Sequence, residues 1–514
     1  MNIRPYAFAA AVATTLVAAT QLPTARAAAP EYEIVPCCSL CPKASDPHAY
    51  DGSDYFDDFR NLLEGRNGWL FRSKLDLTTD IQVAEAALIQ LKRLAEALRT
   101  HGTELVVIFQ PPRALMDPDQ LTPEQRAKYD FAAAHSSYTQ ALARFREAGI
   151  TVPPLDRLVD EHKGYVYFLR RDHHWTTEGA RHSAQVIAEA LQAMPAFQGI
   201  PRQQFATRAS GIAGKPGTLQ KVASQICGGQ YSLQYYTTYV TEPVNSGTEA
   251  AASSNALLDD STSGAGGLLD SDGEIPEIAL VGSSNSDQIG TYNFGGFLKQ
   301  YLGADFLNAA ITGAGYEGAL LRYLPSEAFQ KHPPKILIWE MPWWSWPRDD
   351  GSPYRTFNPY RTFRQAVPLV NNGCRGRPAL LTKDIQLHAG SNEVLFNGGG
   401  KVQPFTSENH WLDFQFDDPG VQQFSGTIWY LSGQRESLKL HFKEYVNNDG
   451  RFVAELRNDQ QDYANATFLG ATVELDAEPP APLHVTASLC TAVRAPSPTP
   501  RKTTVARSEK HAQR

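Results

Sequence analysis

The sequence predicts an α/β fold, in which a domain with a parallel sheet covered by helices precedes a smaller β-sandwich. Short apolar runs alternate with segments of helical periodicity on both sides of a polar stretch, as is typical of a parallel sheet buried on both faces. After Pro347 the helical periodicity fades, and short strand-like segments follow one another between turn signals. The 514 residues are enough for two such domains.

The first run of alternating elements precedes the polar stretch. Apolar residues at helical spacing predict a helix behind Asp80 as its N-cap, and a capping box at Thr122 predicts the start of another. Wholly apolar runs between the helical segments predict buried strands. In chain order, the predicted elements are a helix over 80–99, a strand over 105–109, a helix over 122–149, a strand over 150–152 and a helix over 177–194.

The same alternation resumes after the polar stretch, which spans residues 241–277 and reads as a solvated loop or insertion rich in Ser, Gly, Ala and Asp. The predicted elements here are a strand over 278–281, a helix over 297–302, a strand over 306–311, a helix over 315–324 and a strand over 336–339. In a parallel sheet, reactive residues lie at the carboxyl ends of the strands, and Ser284 falls at such an end.

The two ends of the chain are predicted to lie outside the folded domains. Residues 1–27 have one early positive charge, a short apolar stretch and the small-x-small site Ala25-Arg26-Ala27, which together indicate a secretory signal peptide cleaved after Ala27. The apolar stretch is too short for a membrane anchor, and no second run of membrane-spanning length follows. Residues 495–514 are rich in proline and basic residues and read as a disordered tail.

Composition narrows the classes of function. Hydrophobic residues make up 42% and charged residues 20% of the chain, which is typical of a soluble globular protein. The formal net charge of -8 argues against nucleic acid as the main partner, because that role needs a broadly basic face. A local basic patch could still hold an acidic polymer. No nucleotide-binding motif is present, and we expect no cofactor.

The six cysteines agree with an oxidising compartment. Pairing Cys374 with Cys490 would close a loop that nearly matches the predicted sandwich. One of the clustered Cys37, Cys38 and Cys41 paired with Cys227 would tie the start of the first domain to its middle. We adopt Cys41–Cys227, although the sequence leaves the choice among the three open. A Cys-x-x-Cys zinc or redox motif at residues 38–41 is the competing interpretation, and no second such pair supports it.

Asp172-His173-His174-Trp175 offers an acid, an imidazole and an aromatic wall. In extended chain, the side chains of Asp172 and His174 point the same way, so the carboxylate can hold one ring nitrogen while the other faces a hydroxyl. His173 would then point to the opposite side and is the better structural histidine. A structural pair at a helix start is the alternative, and a metal site built from Asp172, His173 and His174 is a weaker one, because no further cluster with ligand spacing supports it.

Ser284 completes the parts of a serine nucleophile, its general base and the carboxylate that orients the base. Gly282 allows a tight turn after the strand over 278–281, and Ser284 begins the next segment. The backbone N–H of Ser284, with that of Gly313 or Gly315, is a candidate oxyanion donor. The alternative is that these serines and the glycine only form a turn.

These motifs together resemble the AlgX/AlgJ family of alginate O-acetyltransferases. Asp172-His173-His174-Trp175 matches its Asp-x-His-Trp motif, and residues 280–286 resemble its Gly-Thr-Ser nucleophile segment, with Ser283 where threonine is usual. The early cysteine cluster and the run over residues 339–343 are also similar. The resemblance extends to about Cys490, which favours the members that carry a second domain. Two departures are a longer segment over 244–272 and the basic tail.

The resemblance implies a fold and a setting. It implies an SGNH-hydrolase-like catalytic domain over residues 28–347 and a carbohydrate-binding β-sandwich over 348–494. In this family the acid and base precede the serine, the reverse of ordinary SGNH enzymes, so Ser284 would be the nucleophile, His174 the base and Asp172 its orienting acid. The implied substrate is alginate, in the periplasm, alongside other proteins of alginate biosynthesis and export. The sequence does not indicate the acetyl donor.

The sandwich also carries a predicted binding surface for an acidic polysaccharide. A polyuronate has one carboxylate per sugar, so its site should combine cationic donors with an aromatic platform. Thr427 and Trp429 alternate onto one face of a strand, Arg435 follows after a turn, and Lys439 lies on the next strand. The alternative is that Trp429 is a core residue and the basic residues are an ordinary solvated face.

Overall fold

The structure is a computed structural model. It describes residues 39–51, 56, 59–161, 164–244, 275–287, 290–346, 359–407, 409–442, 446–456, 463 and 466–493. The predicted signal peptide, Cys37, Cys38, residues 245–274 of the polar stretch and the predicted tail lie outside these residues.

The helices and strands are numbered here in chain order. The strands are β1 (Leu62–Glu64), β2 (Leu70–Arg72), β3 (Glu104–Gln110), β4 (Phe205–Lys215), β5 (Gln234–Pro243), β6 (Ile278–Val281), β7 (Leu307–Asn308), β8 (Ile336–Pro342), β9 (Ala379–Gln386), β10 (Gly390–Phe396), β11 (His410–Phe416), β12 (Gln423–Tyr430), β13 (Arg435–His441), β14 (Arg451–Glu455), β15 (Phe468–Leu475) and β16 (His484–Thr491). The α-helices are α1 (Ser73–Asp76), α2 (Glu85–Arg99), α3 (Arg113–Met116), α4 (Pro123–Lys128), α5 (Phe131–Glu147), α6 (Arg157–Glu161), α7 (Thr177–Gln192), α8 (Thr218–Cys227), α9 (Phe294–Leu302), α10 (Glu317–Tyr323), α11 (Glu327–Lys331) and α12 (Pro359–Val370).

A parallel four-stranded sheet in the order β3–β8–β6–β7 forms the centre of the first domain. Every residue of β6 and β8 is buried, as expected for strands covered by helices on both faces. Because the strands are parallel, β3, β6 and β8 end at the same edge, where Gln110, Gly282 and Pro342 lie. The predicted fold class is confirmed.

Several predicted boundaries need correction. The first helix begins at Glu85 behind Ala84, so the Asp80 cap is wrong. The capping box at Thr122 is present, but the helix stops at Lys128, and Asp130 caps a second helix by accepting from the N–H of Ala133. Two predicted strands are shorter than the sequence suggested: the one over 306–311 is only β7, and the one over 150–152 is a single bridge from Thr151 to Val106.

A two-stranded hairpin, β4 with β5, and helix α8 between its strands were not predicted. Helix α8 packs with the segment around Cys41 in a small core of its own, separate from the core around the sheet. A disulfide joins Cys41 to Cys227 at the end of this helix. The N-terminal segment is therefore held against the helix both by apolar contacts and by a covalent bond.

The second domain is a β-sandwich of two four-stranded antiparallel sheets, in the orders β10–β15–β12–β13 and β14–β11–β16–β9. Strands β12 and β13 alternate residues that face the core with residues that face outward, and in β13 the buried residues are Glu436, Leu438 and Leu440. A disulfide joins Cys374 to Cys490 beside Trp411. Both disulfides are the pairs adopted from the sequence.

Ion pairs with buried carboxylates link helices α2 and α12 to the strands of the sandwich. Arg93 of α2 donates to both carboxylate oxygens of Glu455 on β14, with a shortest distance of 2.7 Å. Arg364 of α12 pairs with Glu436 on β13 and also donates to the backbone carbonyl of Glu455. Glu436 and Glu455 are buried. Since removing one partner would leave a buried carboxylate without its counter-charge, we expect the loss of either arginine to destabilise the packing of its helix on the sandwich.

No helix within the described ranges is both long enough and apolar enough to cross a membrane.

Candidate functional site

Asp172, His174 and Ser284 form one continuous chain of hydrogen bonds. His174 Nδ1 lies 2.5 Å from Asp172 Oδ1, and His174 Nε2 lies 2.7 Å from Ser284 Oγ. With the ring proton on Nδ1, that nitrogen donates to the carboxylate and leaves Nε2 to accept from the hydroxyl. Asp172 and His174 are buried, whereas Ser284 is partly exposed. The geometry is that of a hydroxyl activated by an oriented imidazole.

The two halves of this chain of hydrogen bonds come from different elements. Asp172 and His174 lie in a tight turn just before α7, whose cap Thr176 accepts from the N–H of Gly179. Ser284 follows β6 at the carboxyl edge of the sheet. The indole N–H of Trp175 donates to the carbonyl of Asn285 at 3.1 Å and ties the two segments together.

A buried carboxylate, Glu340 of β8, shapes the loop that carries Ser284. Glu340 Oε2 accepts from the backbone N–H and from the hydroxyl of Ser283, both at 2.8 Å, and from the hydroxyl of Ser286 at 3.3 Å. A Cβ at Gly282 would stand only 2.8 Å from the same oxygen, so only glycine lets the two strands approach this closely. Burial raises the pKa of the Glu340 carboxyl, against the hydrogen bonds from Ser283.

Several groups hold Asp172 in place. The buried guanidinium of Arg113 donates to the backbone carbonyls of Asp172 at 2.5 Å and of Leu169 at 3.0 Å. The hydroxyl of Thr218, the first residue of α8, donates to Asp172 Oδ1 at 3.0 Å. The ammonium of Lys215 lies 3.4 Å from Oδ2.

Asp172 stays ionised in this environment. Burial alone would raise the pKa of its carboxyl, but the charge and the hydrogen bond of His174, together with the ammonium of Lys215, outweigh burial and hold this pKa well below its usual range. An ionised carboxylate is what a protonated imidazole needs beside it.

The predicted orientation of His173 is wrong. Its ring does not point away from His174 but stacks on it, with ring centroids 4.1 Å apart. The segment is not extended, because the N–H of Asp172 bonds back to the carbonyl of Leu169. His173 Nδ1 lies 2.7 Å from the Thr218 hydroxyl oxygen, which itself donates to Asp172. Burial and the neighbouring His174 lower the pKa of His173 well below its ordinary value, so this ring is neutral.

Asp172, His173 and His174 could also be considered as a metal site, since one ligand atom from each lies within 4.8 Å of the others. A metal on either nitrogen of His174 would break its bond to Asp172 or its bond to Ser284. Metal binding and the chain of hydrogen bonds therefore exclude each other, and the absence of a metal stays a prediction.

Two of the candidate oxyanion donors, Gly313 and Gly315, lie in the loop that follows β7. The N–H of Ile311 donates to the carbonyl of Gly282 at 3.1 Å, so the loop that follows β7 runs beside the loop of Ser284. Gly313 and Gly315 in this loop have φ values of 81° and 72°. Within the described part of the chain, the N–H groups of Ser284 and Gly313 have no acceptor. Their role as oxyanion donors stays a prediction.

The four predicted polysaccharide contacts share the outer face of one sandwich sheet. Thr427 and Trp429 point outward from β12, and Trp429 keeps 38% of its surface exposed, so it is not a core residue. Arg435 lies opposite Trp429 on β13, with its guanidinium carbon 6.0 Å from the indole centroid. Lys439 lies opposite Ser425 on the same strand pair.

Residues 62–343 match the family described as SGNH hydrolase-like domain, acetyltransferase AlgX, and this match covers more than half of the chain. The chain belongs to the AlgX family. Residues 373–504 match a C-terminal carbohydrate-binding module, CBM_26. The family resemblance and the SGNH-like fold expected from the motifs are thus confirmed.

Members of the AlgX family align along almost the whole chain. The alginate biosynthesis protein AlgX of Pseudomonas aeruginosa is 39% identical over 468 residues, which span 91% of this chain and 92% of the relative. AlgX of Azotobacter vinelandii is 37% identical over 493 residues, 95% of each chain. The solved structure of P. aeruginosa AlgX has a TM-score of 0.75 at 38% identity, and the match covers 88% of this chain and 100% of that one.

A more distant relative covers mainly the first domain. The probable alginate O-acetylase AlgJ of P. aeruginosa is 33% identical over 303 residues, 57% of this chain and 72% of the relative.

Sequence reasoning missed several side chains of the site in this AlgX-family protein. Lys215 donates to the hydroxyl of Tyr292 at 2.5 Å, and the Tyr292 ring stacks beside His174 with centroids 5.3 Å apart. Thr218 and Arg113 reach the site from segments far away in sequence. Of these side chains, only Glu340 could have been found from the sequence. A carboxylate inside the apolar run of β8 is buried and therefore needs a hydrogen-bonding partner.

Proposed function

We propose that this protein is an O-acetyltransferase that moves an acetyl group through Ser284 onto a hydroxyl of an acidic polysaccharide. The observation that carries the proposal is that His174 bridges Asp172 and Ser284 with bonds of 2.5 Å and 2.7 Å. His174 Nε2 removes the hydroxyl proton while Ser284 Oγ attacks the acetyl carbonyl of the donor. The imidazolium then protonates the leaving group, and an acetyl-serine remains.

The second half of the reaction uses the same groups in reverse. A sugar hydroxyl attacks the acetyl-serine carbonyl, His174 accepts its proton and then returns a proton to Ser284 Oγ. In both halves the carbonyl oxygen becomes negatively charged, and we assign the N–H of Ser284, with that of Gly313 or Gly315, to stabilise it. Asp172 remains ionised throughout and stabilises the imidazolium.

The proposed acceptor is alginate, at its mannuronate residues. Support comes from the relatives, which are named alginate biosynthesis proteins and a probable alginate O-acetylase, and from the carbohydrate-binding module. Thr427, Trp429, Arg435 and Lys439 would bind the polymer, with the cations facing its carboxylates. The signal sequence and the disulfides favour the periplasm, where other proteins of alginate biosynthesis and export would be partners.

Incubation of the purified protein with an acetyl ester donor and mannuronate oligomers tests transfer against hydrolysis. We expect most of the acetyl lost by the donor to appear on the oligomer, measured by mass spectrometry, and little to appear as free acetate. Acetate release that is unaffected by the oligomer would identify a carbohydrate acetylesterase, in which water finishes the reaction. Omitting the oligomer gives the baseline for hydrolysis.

Replacing Glu340 tests how the loop positions Ser284. In Glu340→Ala, the buried N–H and hydroxyl of Ser283 lose their acceptor, at about 1–3 kcal/mol each. A shift of Ser284 by about 1 Å then lowers kcat by about 100-fold. Glu340→Gln keeps an acceptor oxygen and should recover most of this loss. Equal kcat values for both variants and the unmodified protein, with unchanged thermal unfolding, would show that the loop does not depend on Glu340.

A further inference from the structure

The outer face of the sheet β10–β15–β12–β13 arranges its side chains in rows that cross the strands. Phe396 pairs with Gly470, Gly470 with Trp429, and Trp429 with Arg435. We call these four residues the aromatic row. With adjacent strands about 4.8 Å apart, the Cα atoms of Phe396 and Trp429 lie about 10 Å apart, and Arg435 lies one strand further.

Gly470 keeps the middle of the aromatic row flat. Phe396 and Trp429 are 50% and 38% exposed on either side of it, whereas Gly470 itself is buried. A Cβ at Gly470 would stand 2.8 Å from the carbonyl oxygen of Leu395 and 3.8 Å from the ring of Phe396. The close approach of strands β10 and β15 at this point therefore requires glycine. As a result, the two aromatic side chains are separated by a position that has no side chain.

Acidic side chains occupy the two neighbouring rows. The next row along the strands contains Glu393, which pairs with Thr472, and the row after it contains Glu474, which pairs with Ser391 and Ser425. Both carboxylates are exposed. A polyanion that ran along the strands would meet the carboxylate of Glu474 and that of Glu393, which is ion-paired with Lys383, whereas one that crosses the strands along the aromatic row would meet neither.

The cationic end of the aromatic row is available for a ligand. Arg435 lies over Trp429, and in the described parts of the chain its guanidinium has no carboxylate partner. An arginine fork beside an exposed indole can bind a sugar carboxylate while the ring stacks on the sugar.

Building on the proposed function, we propose that Phe396 is a second stacking platform, and that the acidic polysaccharide crosses the sheet from Arg435 over Trp429 and Gly470 to Phe396. Two sugars of the same polymer would stack on the two rings, and a carboxylate would bind Arg435. The bound length is then set by the whole row and not by Trp429 alone. Lys439 lies two rows away from the aromatic row, in the row that also contains Glu474. It therefore contributes less to polysaccharide binding than Arg435 does.

Titration calorimetry with a polymannuronate oligomer long enough to span the row tests this inference. All variants are made in the Ser284→Ala protein, so that no acetyl transfer takes place during the binding measurement. A failure of the proposed acetyltransferase activity is therefore distinguished from a failure of the proposed binding surface. We expect Phe396→Ala to raise Kd by about 3- to 10-fold, as Trp429→Ala does, because each removes one stacking contact. Oligomers too short to reach both rings should lose the effect of at least one substitution.

Leu380→Ala is the matched control, because Leu380 is an exposed apolar residue, 42% accessible, on the other sheet of the same sandwich. Its Kd should equal that of the parent, and all variants should unfold at the same temperature. A Kd for Phe396→Ala within twofold of the parent, while Trp429→Ala weakens binding, would overturn the aromatic row. Absence of polymannuronate binding by the parent would overturn its assignment as the occupant.

Discussion

Ser284→Ala should abolish acetyl transfer while leaving the fold and polysaccharide binding intact. Without Oγ no acetyl-enzyme can form, and His174 Nε2 loses the group from which it takes a proton. In hydrolases that use the same arrangement, removing the serine lowers kcat by about 10⁶-fold, and we expect a loss of about 10⁴- to 10⁶-fold here. The measurement is acetyl incorporation into mannuronate oligomers, followed against time at saturating donor.

Ser136→Ala gives the same chemical change on an exposed face of α5 and should leave incorporation unchanged. The Ser284 substitution also separates the enzyme from a non-catalytic scaffold that only binds polymer in a secretion complex. A scaffold would tolerate Ser284→Ala but would lose polymer binding when Trp429 and Arg435 are replaced. Unchanged acetylation in Ser284→Ala would therefore end the catalytic assignment.

Asp172→Asn should lower kcat by about 10⁴-fold, because an amide neither stabilises the imidazolium nor holds the ring proton on Nδ1. An amide N–H facing Nδ1 would instead favour the opposite tautomer, in which Nε2 carries the proton and cannot accept from Ser284. The volume and most contacts of the side chain are retained, so the variant should fold. Burst experiments with an acetyl ester would show the loss in the formation of the acetyl-enzyme.

The same variant has a signature in the pH dependence of stability. The pKa of Asp172 is depressed below its ordinary value of 3.8, so ionisation stabilises the folded protein above that pH, and this contribution is lost as pH falls through the folded pKa. Asp172→Asn lacks the contribution. Its deficit in the free energy of unfolding should shrink as pH falls below about 3.8, measured by urea unfolding. A deficit that stays constant with pH would contradict a depressed pKa.

The sequence was sufficient to predict the elements whose signals are local. Wholly apolar runs predicted β3, β6 and β8, and the turn after β6 placed Ser284 at the carboxyl edge of the sheet. The spacing of Asp172 and His174 correctly predicted that their side chains meet, although the reason given, extended chain, was wrong for His173. The buried turn is set by Arg113 and Thr218, which are far away in sequence.

Elements that depend on distant packing were missed. The hairpin of β4 and β5 is largely exposed, so its residues lack the strict alternation that marks a half-buried strand. One miss was local. The helix predicted over 122–149 is two helices, because Asp130 caps and starts a new helix after the first one ends at Lys128. The pairing of Phe396 with Gly470 depends on a bulge between Glu393 and Leu395, which no periodicity reveals.

The disulfide between Cys41 and Cys227 makes the candidate site sensitive to the redox state of the protein. Helix α8 carries this bond at its last residue and Thr218, a hydrogen-bond donor to Asp172, at its first. The helix thus links the disulfide at one of its ends to Asp172, the acid beside His174, at the other. A chain that folded without oxidation could assemble its sheet and still lack a firm anchor for that acid. Reduction of this bond would remove the covalent support of the helix, so the position of Asp172 depends on the redox state of two cysteines that lie at the far end of the helix.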